Sequence, residues 1–179
     1  MRRIAMISLI GFTGAGKSSL GRVLAMRYGF LLWDLDHMIE RKENMSIAEI
    51  FAEKGESYFR EVEGNILKNI VSQGFSNSVL VTGGGAVLRE QSRALLISRS
   101  FVIHLHADFK VIVQRLLHDK SRPLLQGGDM ESTLAQLHAK REHAYEFAHL
   151  TVDSRDLEEA AAKIVGGWYE FNRRSQILI

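Results

Sequence analysis

The sequence predicts an α/β fold in three layers, a five-stranded parallel sheet with helices on both faces. Three observations predict it. Short, near-continuous apolar runs occupy residues 4–10, 30–34, 78–82, 101–106 and 150–152, and such runs suit parallel strands covered on both sides. Helical stretches alternate with them, and right-handed crossovers then align the strands' carboxyl ends along one edge of the sheet. A glycine-rich loop, "LIGFTGAGKSSLG", joins the first run to the first helical stretch.

The first run begins "MRRIAMISLIGF", basic and then apolar. It is too short to span a membrane and enters the loop without a cleavage site, so it reads as a buried strand of a cytoplasmic protein. Leu20, Val23, Leu24 and Tyr28 mark the first helix. The second run ends at Asp34, with Asp36 two residues on. Residues 36–73 are too long for one helix and suggest a substrate-binding insertion; within them Phe59, Val62, Ile66, Leu67 and Ile70 share a face. The third run leads into Gly83, Gly84 and Gly85. Residues 118–129 are polar and glycine-containing, the composition of a mobile lid. Leu157, Ala160, Ala161, Ile164, Val165 and Trp168 mark the last helix.

At 179 residues the chain is most simply one domain, with 46% hydrophobic and 25% charged residues. Its 23 Lys+Arg against 21 Asp+Glu leave +2, too little to argue for nucleic-acid binding. The absence of Cys excludes disulfides, zinc thiolates and a catalytic thiol.

The spacing of Gly11, Gly14, Gly16, Lys17 and Ser18 fits the phosphate-binding loop G-x-x-x-x-G-K-S/T. Glycines let backbone N–H groups turn toward phosphate oxygens, and a helix amino end adds a field favourable to an anion. Lys17 is then expected to reach the β/γ-phosphates, and the Ser18 hydroxyl to ligate Mg²⁺. On extended backbone Asp34 and Asp36 point the same way, an unfavourable pairing unless a cation or a proton transfer uses it. The alternative is that Asp36 caps a following helix. Three consecutive glycines suit a backbone that approaches a ligand, although a tight turn could also need one of them. Arg60 and Glu63, three apart on a helix, can pair. Arg141 is in line with Leu134 and Leu137, and an inward-leaning Arg usually has an anionic partner. Arg122 adjoins the only proline, Pro123, in the lid, where it could deliver a cation to phosphates. His104 and His106 share one side of a strand without a third ligand at useful spacing.

In the segments "GFTGAGKSSLGR", "DLDHMIE", "IAEIFAEKGESYFREVE", "VTGGGAV", "SRPLL" and "REHAY" followed by "VDS", in that order, the chain resembles the shikimate kinases. The resemblance runs from Gly11 to about Ser154. It implies a nucleoside-monophosphate-kinase-like fold and transfer of a phosphoryl group from MgATP to the 3-hydroxyl of shikimate. Carried onto this sequence, it implies that Gly14, Ala15, Gly16, Lys17, Ser18 and Ser19 hold the nucleotide phosphates. Ser18 and Asp34 serve Mg²⁺, and Asp36 contacts the acceptor hydroxyls. Arg60 and Arg141 hold the shikimate carboxylate, with Gly83 to Gly85 along its ring and Glu63 orienting Arg60. Arg122 reaches the phosphates as a catalytic lid cation, Arg115 lies against adenine, and Arg155 joins the nucleotide set. Lys17, Asp36 and Arg122 form the catalytic group. The implied partners are ATP and shikimate, with neither nucleic acid nor membrane, and a monomer is expected. Thr13, Ala144 and His149 depart from common residues of the family, around the functional groups rather than on them.

Other readings leave other marks. A GTPase needs an N-K-x-D motif, which is absent. A motor ATPase usually ends a strand in Asp followed by Glu, whereas here the strand ends "VLVTGGG". A kinase of another polyol acid, such as gluconate, shares most of the same parts, and a binding module without catalysis has little need of all the charged residues together.

Overall fold

The computed structural model describes residues 5–117 and 130–177. The strands are β1 (Met6–Ile10), β2 (Leu31–Asp34), β3 (Ser78–Val81), β4 (Ser100–His106) and β5 (Leu150–Asp153), in the order β2-β3-β1-β4-β5. Every neighbouring pair is parallel. The three-layer fold expected from the sequence is the one observed, with strand ends within a residue or two of the expected runs.

Central β1 is buried at all five positions. Its alternate residues serve two cores, as the period-two geometry of a strand requires. Ile7 and Leu9 face α1 (Lys17–Tyr28) and α7 (Leu157–Ile177), meeting Leu20, Leu24, Ile164 and Trp168. Met6 and Ile10 face the other layer, packing with Ile39, Leu67 and Leu96 from α2 (Leu35–Glu43), α3 (Ile47–Gln73) and α4 (Glu90–Arg99). Each fully buried side chain of this kind contributes about 1.5–3 kcal/mol. Among the described residues the remaining α-helices are α5 (Phe109–Leu117) and α6 (Met130–Arg141). No helix of the described residues is long and apolar enough to cross a membrane.

Two expectations need correction. β2 is not covered on both faces: it is an edge strand, with Leu31 58% and Leu32 38% exposed. An apolar run reveals a strand but not its place in the sheet, which is set by crossovers elsewhere in the chain. The backbone also does not stay extended to Asp36. It turns helical at Leu35, and Asp34 is the N-cap, its Oδ1 accepting the His37 N–H at 3.3 Å. Asp36, not the cap, is in the first turn of α2.

The 36–73 segment divides into α2 and α3. Asn44 ends α2 in the left-handed conformation, and Ser46 starts α3 with a capping box that includes Glu49. Helix α3 is itself interrupted at Gly55, whose φ of 82° and ψ of 170° are not helical. On the far side of this break, Phe59, Val62, Ile66, Leu67 and Ile70 are buried against the sheet, the face the sequence marked. The expected lid, 118–129, lies outside the described residues, and Arg122 with it.

Candidate active site

Chain segments leaving β1, β2 and β3 meet at the carboxyl edge of the sheet. From β1 comes the glycine loop, with Gly11, Gly14 and Gly16 all at positive φ. Gly11 is fixed by space as well as by angle, since a Cβ there lies 2.6 Å from the Leu105 carbonyl oxygen. Helix α1 then starts at Lys17 without a side-chain cap, which leaves its first N–H groups to another partner. Lys17 is buried, and its Nζ donates to the carbonyls of Gly11 and Phe12 at 2.8 and 2.9 Å.

Ser18 and Asp34, from different segments, are brought together. The Ser18 hydroxyl donates to Asp34 Oδ2 at 3.2 Å. A hydroxyl and a carboxylate are hard oxygen donors beside a phosphate loop, a set that fits Mg²⁺, which usually takes few protein ligands and completes its shell with phosphates and water. Ser19 is in the first turn of α1, its Oγ accepting from Arg22 at 3.4 Å.

Arg115 braces the loop from its outer side. Its guanidinium donates to the carbonyls of Gly14 (3.3 Å) and Ala15 (2.9 Å), and to the hydroxyl and carbonyl of Ser154 (3.1 and 3.3 Å). The resemblance implies that Arg115 lies against adenine and says nothing of this brace, whose loop partners are backbone carbonyls about 100 residues away. Arg155 is exposed and paired with Asp153 at 2.9 Å. That pairing holds the Asp153 carboxyl below its usual range.

The other half of the site surrounds the glycine triplet. Thr82, just before it, ties β3 to β1 by donating its N–H and hydroxyl to the Leu9 carbonyl at 3.1 and 3.0 Å. A Cβ on Gly83 lies 2.7 Å from Asp36 Oδ1 and 3.2 Å from Glu63 Oε1. One on Gly84 lies 3.0 Å from the Thr13 nitrogen, and one on Gly85 lies 2.5 Å from an Arg60 guanidinium nitrogen. Each glycine therefore leaves room for a different neighbour, so a turn needing a single glycine does not account for the triplet.

Arg60 and Glu63 pair at 2.8 Å, with side chains 15% and 3% exposed. Arg60 also reaches Glu56 at 3.3 Å, and its carbonyl accepts from Arg89 at 2.7 Å. Burial pushes the Glu63 carboxyl up, and Arg60 opposes that rise, while the Asp36 charge adds to it. Among the described residues, Glu63 Oε1 has no hydrogen-bond partner.

Arg141, at the end of α6, is half-buried, with its guanidinium carbon 6.0 Å from the centre of the Phe12 ring. Burial pushes its pKa down, and Arg60, Glu56 and Glu63 are close enough to influence it. Both arginines thus border one charged region, reached from α3 and α6. Tyr145, in the short 3₁₀ turn after Arg141, donates its hydroxyl to the Gly84 carbonyl at 3.0 Å and stacks on His104 at 4.9 Å. Neither ring was assigned a role from sequence. His149 receives the Val102 N–H on its Nδ1 at 2.9 Å, which settles that departure into the β4–β5 junction.

A parallel sheet with a phosphate loop at its central strand, a hydroxyl–carboxylate pair beside the loop and a second charged pocket next to it define a phosphate-loop kinase of small molecules. The chain belongs to the shikimate kinase family, whose description it matches over residues 13–167. It is 44% identical to the shikimate kinase of Nitrobacter winogradskyi over 151 residues, covering 84% of this chain and 70% of that one. With the shikimate kinase of Geobacter sulfurreducens it shares 39% identity over 160 residues, 88% and 87% of the two chains. The solved structure of shikimate kinase from Acinetobacter baumannii in complex with shikimate superimposes with a TM-score of 0.84 at 38% identity, covering 90% of this chain and 91% of that one.

Proposed function

We propose that this chain is a shikimate kinase, transferring the γ-phosphoryl group of ATP to the 3-hydroxyl of shikimate. The observation that carries the reading is the convergence of Asp36, Glu63 and Arg60 on Gly83 and Gly85, beside a phosphate loop. A cyclic hydroxy acid needs those features: backbone that can approach a ring, a carboxylate for the hydroxyl, and cations for the acid group.

In this reading Gly14 to Ser19 and Lys17 hold the phosphates, while Arg115 and Arg155 border the nucleotide. Ser18 and Asp34 hold Mg²⁺, which supplies charge neutralisation at the phosphates when bound. Asp36 orients the acceptor hydroxyl and takes its proton as the oxygen attacks the γ-phosphorus. The bond from that phosphorus to the bridging oxygen breaks, and ADP leaves with the electron pair. Lys17 offsets the charge on the transferring group, and Arg122 from the lid segment is assigned the same task. Arg60 and Arg141 clamp the carboxylate as planar forks from two directions, with Glu63 orienting Arg60. The proposed unit is a single domain, with 36–73 as acceptor-binding insertion and 118–129 as lid, acting as a cytoplasmic monomer.

The test is ADP release by the purified chain with MgATP, alone and with shikimate, gluconate or the amide of shikimate. Shikimate is expected to raise turnover far above the ATP-only rate, with gluconate giving little. Equal stimulation by gluconate or none by shikimate overturns the reading.

A further inference from the structure

Tyr145 is placed to act across three parts of the site at once. Its ring is buried, 4% exposed, and lies nearly parallel to His104 at an interplanar angle of 14°. The hydroxyl donates to the Gly84 carbonyl, 61 residues away in sequence. Gly84 in turn packs directly on the phosphate loop, where a Cβ would lie a tight 3.0 Å from the Thr13 nitrogen. Four residues before Tyr145, at the end of α6, is Arg141.

We propose that Tyr145 is a positioning residue which, through the Gly84 carbonyl, sets the glycine triplet against both the phosphate loop and Arg141. The proposal rests on the acceptor reading given above. One bond thereby fixes the spacing between the element that holds the donor and the elements that hold the acceptor. Phosphoryl transfer is sensitive to such spacing, because most of its catalysis is alignment.

The alternative, a packing role alone, is separable because packing belongs to the ring and registration to the hydroxyl. Removing the oxygen leaves the stack on His104 in place and the Gly84 carbonyl without its donor. The phenol remains a donor across the ordinary pH range, since burial pushes its pKa up to about 12 against the opposing charge of Arg141. His104 from β4 and Arg141 are the titratable groups facing it.

Tyr145→Phe is expected to raise the KM for shikimate about 5- to 10-fold, the value of one hydrogen bond, and to lower kcat. The dissociation constant for ATP without shikimate is expected to stay within twofold. Tyr58→Phe is the control: it also loses a phenol hydrogen bond, to Glu43 at 2.7 Å, and its shikimate KM is expected to match the parent. In a second measurement, 3,5-difluorotyrosine at position 145 lowers the phenol pKa with little change of shape. Shikimate KM should then rise with pH relative to the parent, as the phenol loses its proton. This remains informative if Tyr145→Phe fails to fold. A parent that does not phosphorylate shikimate overturns the functional reading. A parent that does, with Tyr145→Phe and the difluoro chain both matching it in shikimate KM, kcat and their pH profiles, overturns this inference. So does a Tyr145→Phe effect confined to ATP binding.

Discussion

The two halves of the site are held together in different ways. The phosphate loop is continuous in sequence, from Gly11 to Ser18, and its shape comes from glycine backbone angles and from Lys17 bonded to two carbonyls of the same loop. The half proposed to hold the acceptor draws Asp36 from α2, Arg60 and Glu63 from α3, the triplet from beyond β3 and Arg141 from α6. Its groups are set by ion pairs and by close approach, with glycines where a Cβ would collide. A local device tolerates change elsewhere in the fold, whereas an assembled one depends on the relative placement of several elements. Changes in the first half should therefore act through charge at the phosphates, and changes in the second through geometry.

The largest expected effect breaks the local half. Lys17→Met removes the buried cation of the loop, and turnover should fall about 10²- to 10³-fold, as for other preorganised electrostatic groups. Steady-state ADP release from a variant with parental circular dichroism measures it. A fall of less than threefold would mean the loop does not depend on this charge.

Asp36→Asn comes next: on the proposed function the hydroxyl loses the carboxylate that orients it while the side chain keeps its shape, and kcat is expected to fall about 10²-fold. ATP affinity should hardly move. A collapse of ATP binding instead would place Asp36 with the metal and reverse its role with that of Asp34.

Arg60→Lys sharpens the comparison, since it keeps charge and loses the planar fork. Keeping the charge while losing the fork costs no more than removing one partner of a buried charge pair, about 2 kcal/mol, so shikimate KM should rise by up to roughly 30-fold. The effect on the amide of shikimate should be clearly smaller. Equal weakening of acid and amide would sink the carboxylate clamp.

The smallest effect lies at the boundary between the halves. Burial, with help from His106, Lys17 and His138, pushes His104 down to about 4 from 6.5. Between those values the unfolded chain binds the proton more readily than the folded one. This contribution to stability is therefore complete above pH 6.5 and declines as pH falls toward 4. His104→Phe keeps a ring against Tyr145, and its Tm should fall less steeply over that window. Identical slopes for parent and variant would assign the acid sensitivity to other groups.

Local signals made the fold and the phosphate loop legible. Five apolar runs, the glycine spacing and the Lys-Ser pair each fit within a dozen residues. The Arg60–Glu63 pair was legible for the same reason, being three apart on one helix. What was not legible depended on contacts between distant segments. Alternation along a strand suggested that Asp34 and Asp36 share a face, but the chain turns helical between them, and Leu35 and Ile39 at helical spacing carried that signal. The exposure of β2 follows from strand order, which no short stretch encodes. Arg115 bonding to the loop and Tyr145 bonding to Gly84 join segments 61 to 101 residues apart, and nothing beside either residue announces its partner.

The interruption at Gly55 makes α3 a jointed beam rather than a rod. The eight residues from Ile47 to the joint form an arm of about 12 Å at 1.5 Å per residue. A swing of about ten degrees there carries the arm's far end roughly 2 Å, taking with it whatever leans on it from α2. Arg60 and Glu63 lie beyond the pivot, in the stretch that Phe59 and Val62 bolt to the sheet. A Cβ at the joint finds nothing within 4 Å, but the two sides are tied across it by the Phe51 and Phe59 rings, 4.7 Å apart, and by Lys54 donating to the Tyr58 hydroxyl at 3.5 Å. Tyr58 also donates to Glu43 of α2 at 2.7 Å, so the arm, α2 and the stretch that carries Arg60 share contacts. On the proposed function, a swing at Gly55 would therefore reach the guanidinium assigned to the acid group rather than spare it.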